Sequence, residues 1–443
     1  MIALEQQIET FLNQLGNQHS KIWLAYSGGM DSRVLLQLLA EAQSRYSHLH
    51  LSAIHVNHQL QTDALAWEAH CQQQCEQLGI ALTICRVDAT PQDRQSPEQA
   101  AREARYDAFA EHLSEDDILV TAHHANDQAE TLLLQLMRGA GTAGLSAMPM
   151  SRSFKGMNLH RPLLGFSRQM LQDFANHKNL QWVEDPSNEE TDIRRNFIRH
   201  EVMPVLDKQW PEPEKSINQS ARHLADTEQT LNWFLDCELA KVLLARDVLA
   251  IDTLLTYPTA IQRHLLRRWY AQLGLAAPGE DKLALIMSEV MAAKADANPE
   301  LKWQGSVLHR CRNRLLLSPD WEPFEHQHWS AEATITTSAW QLNIAGLNSI
   351  NTQELTASIA SHDMEINQSN KLRSLKKVFK DKAVPVRFRS LLPAVFMGSE
   401  LIYVPGIFQH PDYAALTFHF DFKRLGDSVS DSDQPLLSVL DIA

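Results

Sequence analysis

Cysteine is scarce: the 443 residues hold five, an odd number with no CxxC pair, which argues against a disulfide framework and leaves reduced thiols as the simplest state. Cys71 and Cys75, four apart in a helix-like stretch, read as small buried hydrophobes rather than metal ligands. Positive charge is short as well. Against 54 Asp and Glu stand 40 Lys and Arg, a formal −14, so no basic coat covers the chain and any contact with nucleic acid must be local. No apolar run reaches the ~18 residues that cross a bilayer. The opening MIALEQQIETFLNQL carries two acids where a secretory signal is basic and then apolar. The expectation is a cytoplasmic protein without a membrane partner. Apolar bulk is what the chain does have: 44% hydrophobic and 21% charged residues suit a sizeable core. The length is a prior for about three domains at ~150 residues each.

Leu4, Ile8, Phe11, Leu12 and Leu15 follow the three-and-four spacing of an opening helix. Strand-like runs at 21–26, 50–58, 81–87 and 117–124 then alternate with helix-like stretches at 34–43, 63–79, 97–113 and 126–139. Such alternation, with nearly continuous apolar strands, predicts an α/β fold, a doubly wound, Rossmann-like parallel sheet covered on both faces. Ligands bind such sheets beyond the carboxyl ends of the strands. The Pro- and acid-containing segment Trp210–Lys215 marks a boundary near 207, and 217–298 reads as a small helical domain. Trp321-Glu322-Pro323 marks a second boundary; beyond it short β-like runs at 333–344 and 400–408 suggest a small mixed α/β domain, with a polar tail at 426–435 expected to fray. The predicted domains are therefore 1–206, 207–320 and 321–443.

Ser27-Gly28-Gly29-Met30-Asp31-Ser32 lies between the first strand and the following helix. There, successive backbone N–H groups and the positive helix end hold an anion, and glycine lets the backbone approach oxygens closely. Ser27 and Ser32 add hydroxyls. Asp31 is a carboxylate beside the expected phosphates, tolerated there only if Mg²⁺ bridges them. An isolated SGG could be only a turn and a helix cap. The loop lacks the lysine of a Walker loop, which disfavours hydrolysis at a γ-phosphate.

SGGMDS resembles the SGGxDS loop of the N-type ATP pyrophosphatases, which split ATP between its α- and β-phosphates. HVNH (55–58), AREARY (101–106), TAHHANDQAETLLLQLMRGAGTAGLSAM (121–148), RPLL (161–164), VEDPSN (183–188) and RRNFIRHEVMPVL (194–206) together resemble the tRNA(Ile)-lysidine synthetase family over about the first 206 residues. Residues 374–407 resemble the final domain of its longer members. The resemblance implies a ligase that uses ATP and Mg²⁺ to activate the C2 oxygen of the wobble cytidine in the CAU anticodon of tRNA(Ile). Free L-lysine is then attached through its ε-amine, releasing AMP and pyrophosphate and changing codon reading from AUG to AUA. Residues 27–32 are then the expected ATP grip, with Asp31 the metal partner.

A free lysine amine, pKa ≈ 10.4, is unprotonated in only about one molecule in 10³ at pH 7. Asp127 and Glu130, at i and i+3 on one helix face past a strand end, could hold the ammonium and accept a proton. The family similarly assigns the DxxE of HHxxDxxE to lysine. The bland alternative is an acidic first turn complementing the helix dipole. Of His123 and His124, adjacent strand residues pointing oppositely, His123 is the expected nucleotide or base contact. Zinc finds no third and fourth ligand at supporting spacing.

Arg102 and Arg105 share a helix face and could clamp phosphate or the target base, or simply form surface salt bridges. Arg195 matches an Arg-Asn pair of the family motif, with phosphate contact its implied role.

Residues 371–389 carry eight basic residues against the single acid Asp381. On helical spacing Arg373, Lys376, Lys377 and Lys380 share a face suited to a tRNA backbone. Arg263, His264, Arg267 and Arg268, beside Trp269 and Tyr270, either touch RNA or merely cover a helix. A thiolase with the same loop would want cysteines for sulfur chemistry, which the missing CxxC disfavours. A non-catalytic RNA-binding module is disfavoured by the retained Asp31, Asp127 and Glu130. Whether the chain forms a homodimer stays open.

Overall fold

Strand β1 (Lys21–Ala25) sits mid-sheet because both of its faces are apolar: Ile22 and Leu24 enter one core cluster, Trp23 the opposite one. In the computed structural model, residues 2–423 are described except 16–20, 44, 47–49, 60–62, 92–95, 115, 155, 295–296, 298, 322–328, 331–333, 338, 346–354, 361–363, 369–370, 383 and 385. The tail at 426–435 and residues 322–323 of the second expected boundary lie outside the described residues. The chain divides into two compact units, Met1–Thr230 and Leu231–Ala443.

In the first unit α1 (Ile2–Leu15) precedes β1, followed by α2 (Met30–Gln43), β2 (His50–Asn57), α3 (Ala64–Gln77), β3 (Ala81–Arg86), α4 (Pro97–His112), β4 (Ile118–Val120) and α5 (Ala125–Met137). Then come α6 (Thr142–Leu145), β5 (Ser151–Phe154), β6 (Met157–His160), α7 (Arg168–His177), α8 (Arg194–Phe197), a π-turn at Ile198–Val202 and α9 (Met203–Asp207). The sheet order is β3-β2-β1-β4-β6-β5, parallel except for the antiparallel edge pair β5–β6. Helices α1, α2 and α7 cover one face through Leu4, Leu35 and Phe174, and α4 covers the other through Tyr106 and Phe109. This is the doubly wound sheet that the alternation predicts. The chain leaves β1 towards β2 and β3, then returns to β4 on the other side of β1. The crevice beyond the ends of β1 and β4 is thus a topological switch point, where such sheets bind ligands.

Helix α10 (Pro213–Val242) carries the chain across the division at 230/231. The second unit continues with β7 (Leu243–Ala245), β8 (Val248–Ala250), α11 (Ile251–Leu255), α12 (Thr259–Gln272), α13 (Glu280–Leu285), β9 (Glu300–Trp303), β10 (Ser306–Cys311) and β11 (Arg314–Pro319). The helices pack around Trp269 and Tyr270, both fully buried and edge-to-face at 6.0 Å. The helical region also carries strands that the sequence pattern conceals. β7 pairs with β8, and β8 with β11, in an antiparallel sheet β7-β8-β11-β10-β9.

Further on, β12 (Trp329–Ser330), β13 (Thr334–Thr336), β14 (Trp340–Ala345), β15 (Leu355–Ile359), β16 (Glu365–Gln368) and β17 (Lys371–Ser374) precede α14 (Leu375–Asp381) and α15 (Val386–Arg389). β18 (Pro393–Met397), β19 (Glu400–Val404), β20 (Phe408–Gln409) and β21 (Thr417–Phe422) are the last strands among the described residues. They form the antiparallel sheets β12-β15-β18-β19-β20, β13-β14-β21 and β16-β17, with Phe379, Phe388 and Phe422 in their core. Among the described residues no helix is long and apolar enough to cross a membrane.

Candidate active site

A cavity of about 820 Å³ lies beyond the ends of β1 and β4. Ser27 and Gly29–Ser32 form one wall, Thr121–His123 and Asp127 another, and Arg102, Arg105 and Tyr106 of α4 a third. The loop is closed on itself: the Ser27 and Ser32 hydroxyls lie 3.0 Å apart, and Ser32 Oγ donates to the Gly29 carbonyl at 2.9 Å. Helix α2 starts at Met30, so its first N–H groups lack intrahelical partners and point at this space. Gly28 plays a different part from its neighbours. It does not line the cavity, its φ is +87°, and a Cβ there would stand 2.8 Å from Cys71 Sγ. Cys71 and Cys75 are buried packing residues of the same apolar cluster.

Asp31 and Asp127 come together through His124. This side chain is 1% exposed and caps α5: its Nδ1 accepts from the Asp127 N–H at 3.4 Å while Asp127 Oδ2 accepts from the His124 N–H at 3.0 Å. His124 Nε2 then lies 3.5 Å from both Asp31 Oδ2 and Asp127 Oδ2. Burial opposes protonation of His124, but Asp127, Asp31 and Glu130 outweigh it and raise its pKa. His123 lines the cavity, with Nδ1 2.8 Å from the Thr121 hydroxyl. Burial drives His123 down to about 4, against the pull of Asp127 and with help from Arg161 and Arg195. Burial works to raise the Asp127 carboxyl, yet His124, His123 and Arg195 prevail and hold it at about 2.

Glu130 is placed differently from its partner. It is 2% exposed and gripped from both sides: Arg199 donates from Nε at 2.7 Å and Nη2 at 3.0 Å, and Arg195 Nε lies 3.1 Å away. Arg199 Nη2 also donates to Asp127 Oδ1 at 3.3 Å. Burial still pushes the Glu130 carboxyl up. Only Asp127 of the two carboxylates therefore faces the cavity.

Asn196 is buried and donates to the carbonyls of Ser187 at 2.9 Å and Glu190 at 3.0 Å, tying the 184–190 wall to α8. Asp185 caps that wall's 3₁₀ turn by accepting from Ser187 N–H and Oγ at 2.9 and 2.7 Å. Arg102 and Arg105 both line the cavity, and Arg105 Nη2 lies 3.5 Å from His58 Nε2. Burial and the Arg105 charge push His58 down to about 4.

The PP-loop domain family matches residues 2–206, the TilS substrate binding domain matches 249–316, and the TilS substrate C-terminal domain matches 354–417. A tRNA(Ile)-lysidine synthase from Methylococcus capsulatus is 41% identical over 318 residues, covering 71% of this chain and 72% of that one. Another, from Serratia proteamaculans, is 36% identical over 414 residues, covering 89% and 92%. A third, from Histophilus somni (strain 129Pt), is 34% identical over 430 residues, covering 92% of this chain and 99% of its own length. The chain belongs to the tRNA(Ile)-lysidine synthase family.

In this lysidine synthase family member all cavity-lining residues fall within the PP-loop match. Sequence reasoning missed Arg199, His124 as the link between Asp31 and Asp127, and the Trp182–Asn188 wall. Arg195 and Arg199 stand four apart, so their shared helical face was a usable signal. The linking role of His124 has no such local signature.

The basic strip needs one correction. Arg373 does not share a helix face with Lys376, Lys377 and Lys380: it lies in β17, opposite Ile366 of β16, and pairs with Asp381. The three lysines lie exposed on α14, whose other face buries Leu375, Val378 and Phe379. On α12 the arginines are spoken for within the second unit. Arg263 and Arg267 pair with Glu280 at 3.5 and 2.6 Å, and Arg268 grips Asp236 at 2.6 and 2.7 Å.

Proposed function

We propose that this chain uses ATP to adenylylate the C2 oxygen of the wobble cytidine of tRNA(Ile), and then joins lysine to that carbon through its ε-amine. Pyrophosphate leaves in the first step and AMP in the second. The observation that carries the reading is the convergence of Asp31 and Asp127 on one cavity, each 3.5 Å from the same histidine nitrogen.

In this reading the ATP phosphates rest on the Ser27–Ser32 loop. Asp31 suits a Mg²⁺ partner: its Oδ1 is buried with no hydrogen-bond partner, while His124 steadies Oδ2. Mg²⁺ typically takes one or two protein carboxylates and completes its shell with phosphate oxygens and water, so a single aspartate suffices. The ion would supply charge neutralisation at the departing pyrophosphate. Arg102, Arg105 and Arg195 border the same space and can meet phosphate or the cytosine edge.

Asp127, charged at any working pH, receives the lysine ammonium. At about 2 it is a poor base and serves to hold the ammonium; one proton must leave before the nitrogen has a lone pair with which to attack, and a second leaves as the C–N bond forms and the nitrogen becomes more acidic. Neutral His123 on the same wall is a second acceptor. Glu130 holds Arg195 and Arg199 in place rather than touching lysine.

Residues 1–206 then form the catalytic domain, while 207–320 and 321–443 hold tRNA, with Lys376, Lys377 and Lys380 on phosphates. The test is transfer of labelled lysine into tRNA(Ile) by the purified chain, with AMP and pyrophosphate released in step. Release of ADP, or AMP formation with no lysine incorporated, overturns the reading.

A further inference from the structure

Arg33 follows the last residue of the phosphate loop, yet its side chain is absent from the cavity wall and is 5% exposed. Its guanidinium donates from Nε to Gln74 Oε1 and from Nη1 to Gln37 Oε1, both at 3.1 Å. Both acceptors are neutral amides. Among the described residues no carboxylate pairs with Arg33, and Glu68, the acid of α3 that acts on Cys71, is gripped by Arg86 at 2.8 and 3.0 Å.

Gln37 in turn donates to Glu41, but that carboxylate is held by Lys178 at 2.9 and 3.2 Å, and the remaining titratable groups of the cluster carry no compensating charge at neutral pH. Burial pushes the thiols of Cys71 and Cys75 up to about 12 and about 11 and raises the Tyr26 phenol, while His55 and His70 are pushed below the ordinary histidine value. A buried cation without an anion is expensive, and removing such a cost needs a partner that arrives later. The cluster lies against the back of the loop: a Cβ on Gly28 would stand 2.8 Å from Cys71 Sγ, and Tyr26 precedes Ser27 directly.

Taking ATP's phosphates to lie on that loop, as proposed above, we propose that Arg33 is a fixed positive charge behind it, a positioning residue whose missing anion is the polyphosphate of the bound nucleotide. Because the Arg33 side chain is buried and lies outside the cavity wall, it acts through protein, where salt does not reach, rather than through solvent.

The test is calorimetric binding of ATP and of adenosine to the full chain carrying Arg33→Met, Arg33→Gln or Arg33→Lys, at low and at high salt. Arg33→Met and Arg33→Gln should weaken ATP about tenfold and leave adenosine unchanged, while Arg33→Lys keeps most of the affinity because it keeps the charge. The loss should persist at high salt, unlike that caused by Arg102→Ala at the exposed rim. Unchanged ATP affinity in the neutral variants, or an equal loss for adenosine, overturns the proposal by making Arg33 a packing residue. If Arg33→Met fails to fold, the comparison of glutamine with lysine decides between the same two outcomes. Failure of the unaltered chain to bind ATP would instead sink the reading of the loop itself.

Discussion

Removing Arg199 should expose how the buried carboxylate at its tip is tolerated. The guanidinium makes two hydrogen bonds to Glu130, at 2.7 and 3.0 Å, and one to Asp127 at 3.3 Å. Breaking a buried ion pair from one side costs about 3–5 kcal/mol, because the remaining charge has lost its partner. Here Arg195 stays 3.1 Å from Glu130, and Arg199 is itself 29% exposed, so Arg199→Ala should cost about 2–3 kcal/mol in urea unfolding.

Glu130 has one escape, which is to take up a proton. Its folded pKa already lies above the ordinary glutamate value through burial, and loss of Arg199 raises it further. A raised folded pKa means that the folded state binds the extra proton. The group's contribution is therefore fully present below the unfolded pKa and is lost as pH rises through the folded one. The penalty of Arg199→Ala should accordingly be larger at pH 8 than at pH 5, by about 1 kcal/mol or more. Glu130→Gln removes the charge, so the double variant should fall short of the summed single losses by about 1–2 kcal/mol. Equal penalties at the two pH values, or strict additivity, would refute the account of a charge held buried by its arginine.

Asp31→Asn should abolish AMP formation while leaving the fold intact, whereas Asp127→Asn should chiefly raise the KM for lysine; both are read from pyrophosphate release and labelled lysine transfer under initial-rate conditions. Replacing Lys376, Lys377 and Lys380 together by alanine should weaken tRNA binding and flatten its log–log salt dependence by about 2, at ~0.7–0.9 for each phosphate no longer neutralised. Gly28→Ala should lower stability by about 1–2 kcal/mol from the positive φ alone, and more from the clash with Cys71 Sγ. Adding Cys71→Ala should restore only the share due to that clash, as thermal unfolding of the single and double variants will show.

The first unit is the more legible in sequence because its signals are local. Strands such as β1 and β4 are short, apolar on both faces and punctuated by Gly or His-Asn-Asp turns, and the expected helix at 97–113 differs from α4 only at its last residue. The stretch after α10 was less legible for a physical reason. Leu243–Ala245 and Val248–Ala250 are apolar runs of three residues split by Arg246-Asp247, too short to tell helix from strand, and their strands exist because β8 pairs with β11, placing Leu249 opposite Leu315. Nothing within 243–250 encodes a partner 66 residues away. Arg373 reads as helical for the same reason: its spacing to the lysines is right, but cross-strand pairing with Ile366 decides its conformation.

The site divides along the same line. The loop at 27–32 is contiguous, so its chemistry can be read from residue types alone. The role of each carboxylate in the Asp127–Glu130 pair cannot, because spacing gives them one helix face without saying what covers each of them. Arg199, 69 residues beyond Glu130, takes both oxygens of the glutamate and leaves the aspartate to the cavity. In the proposed function, a DxxE pattern that looks like two equivalent ligands is one ligand and one anchor. Their inequality follows from burial, since a carboxylate 2% exposed must be paired within the protein, whereas one at the cavity wall, although Arg199 and His124 each take one of its oxygens, still has lone pairs facing the cavity for a substrate cation.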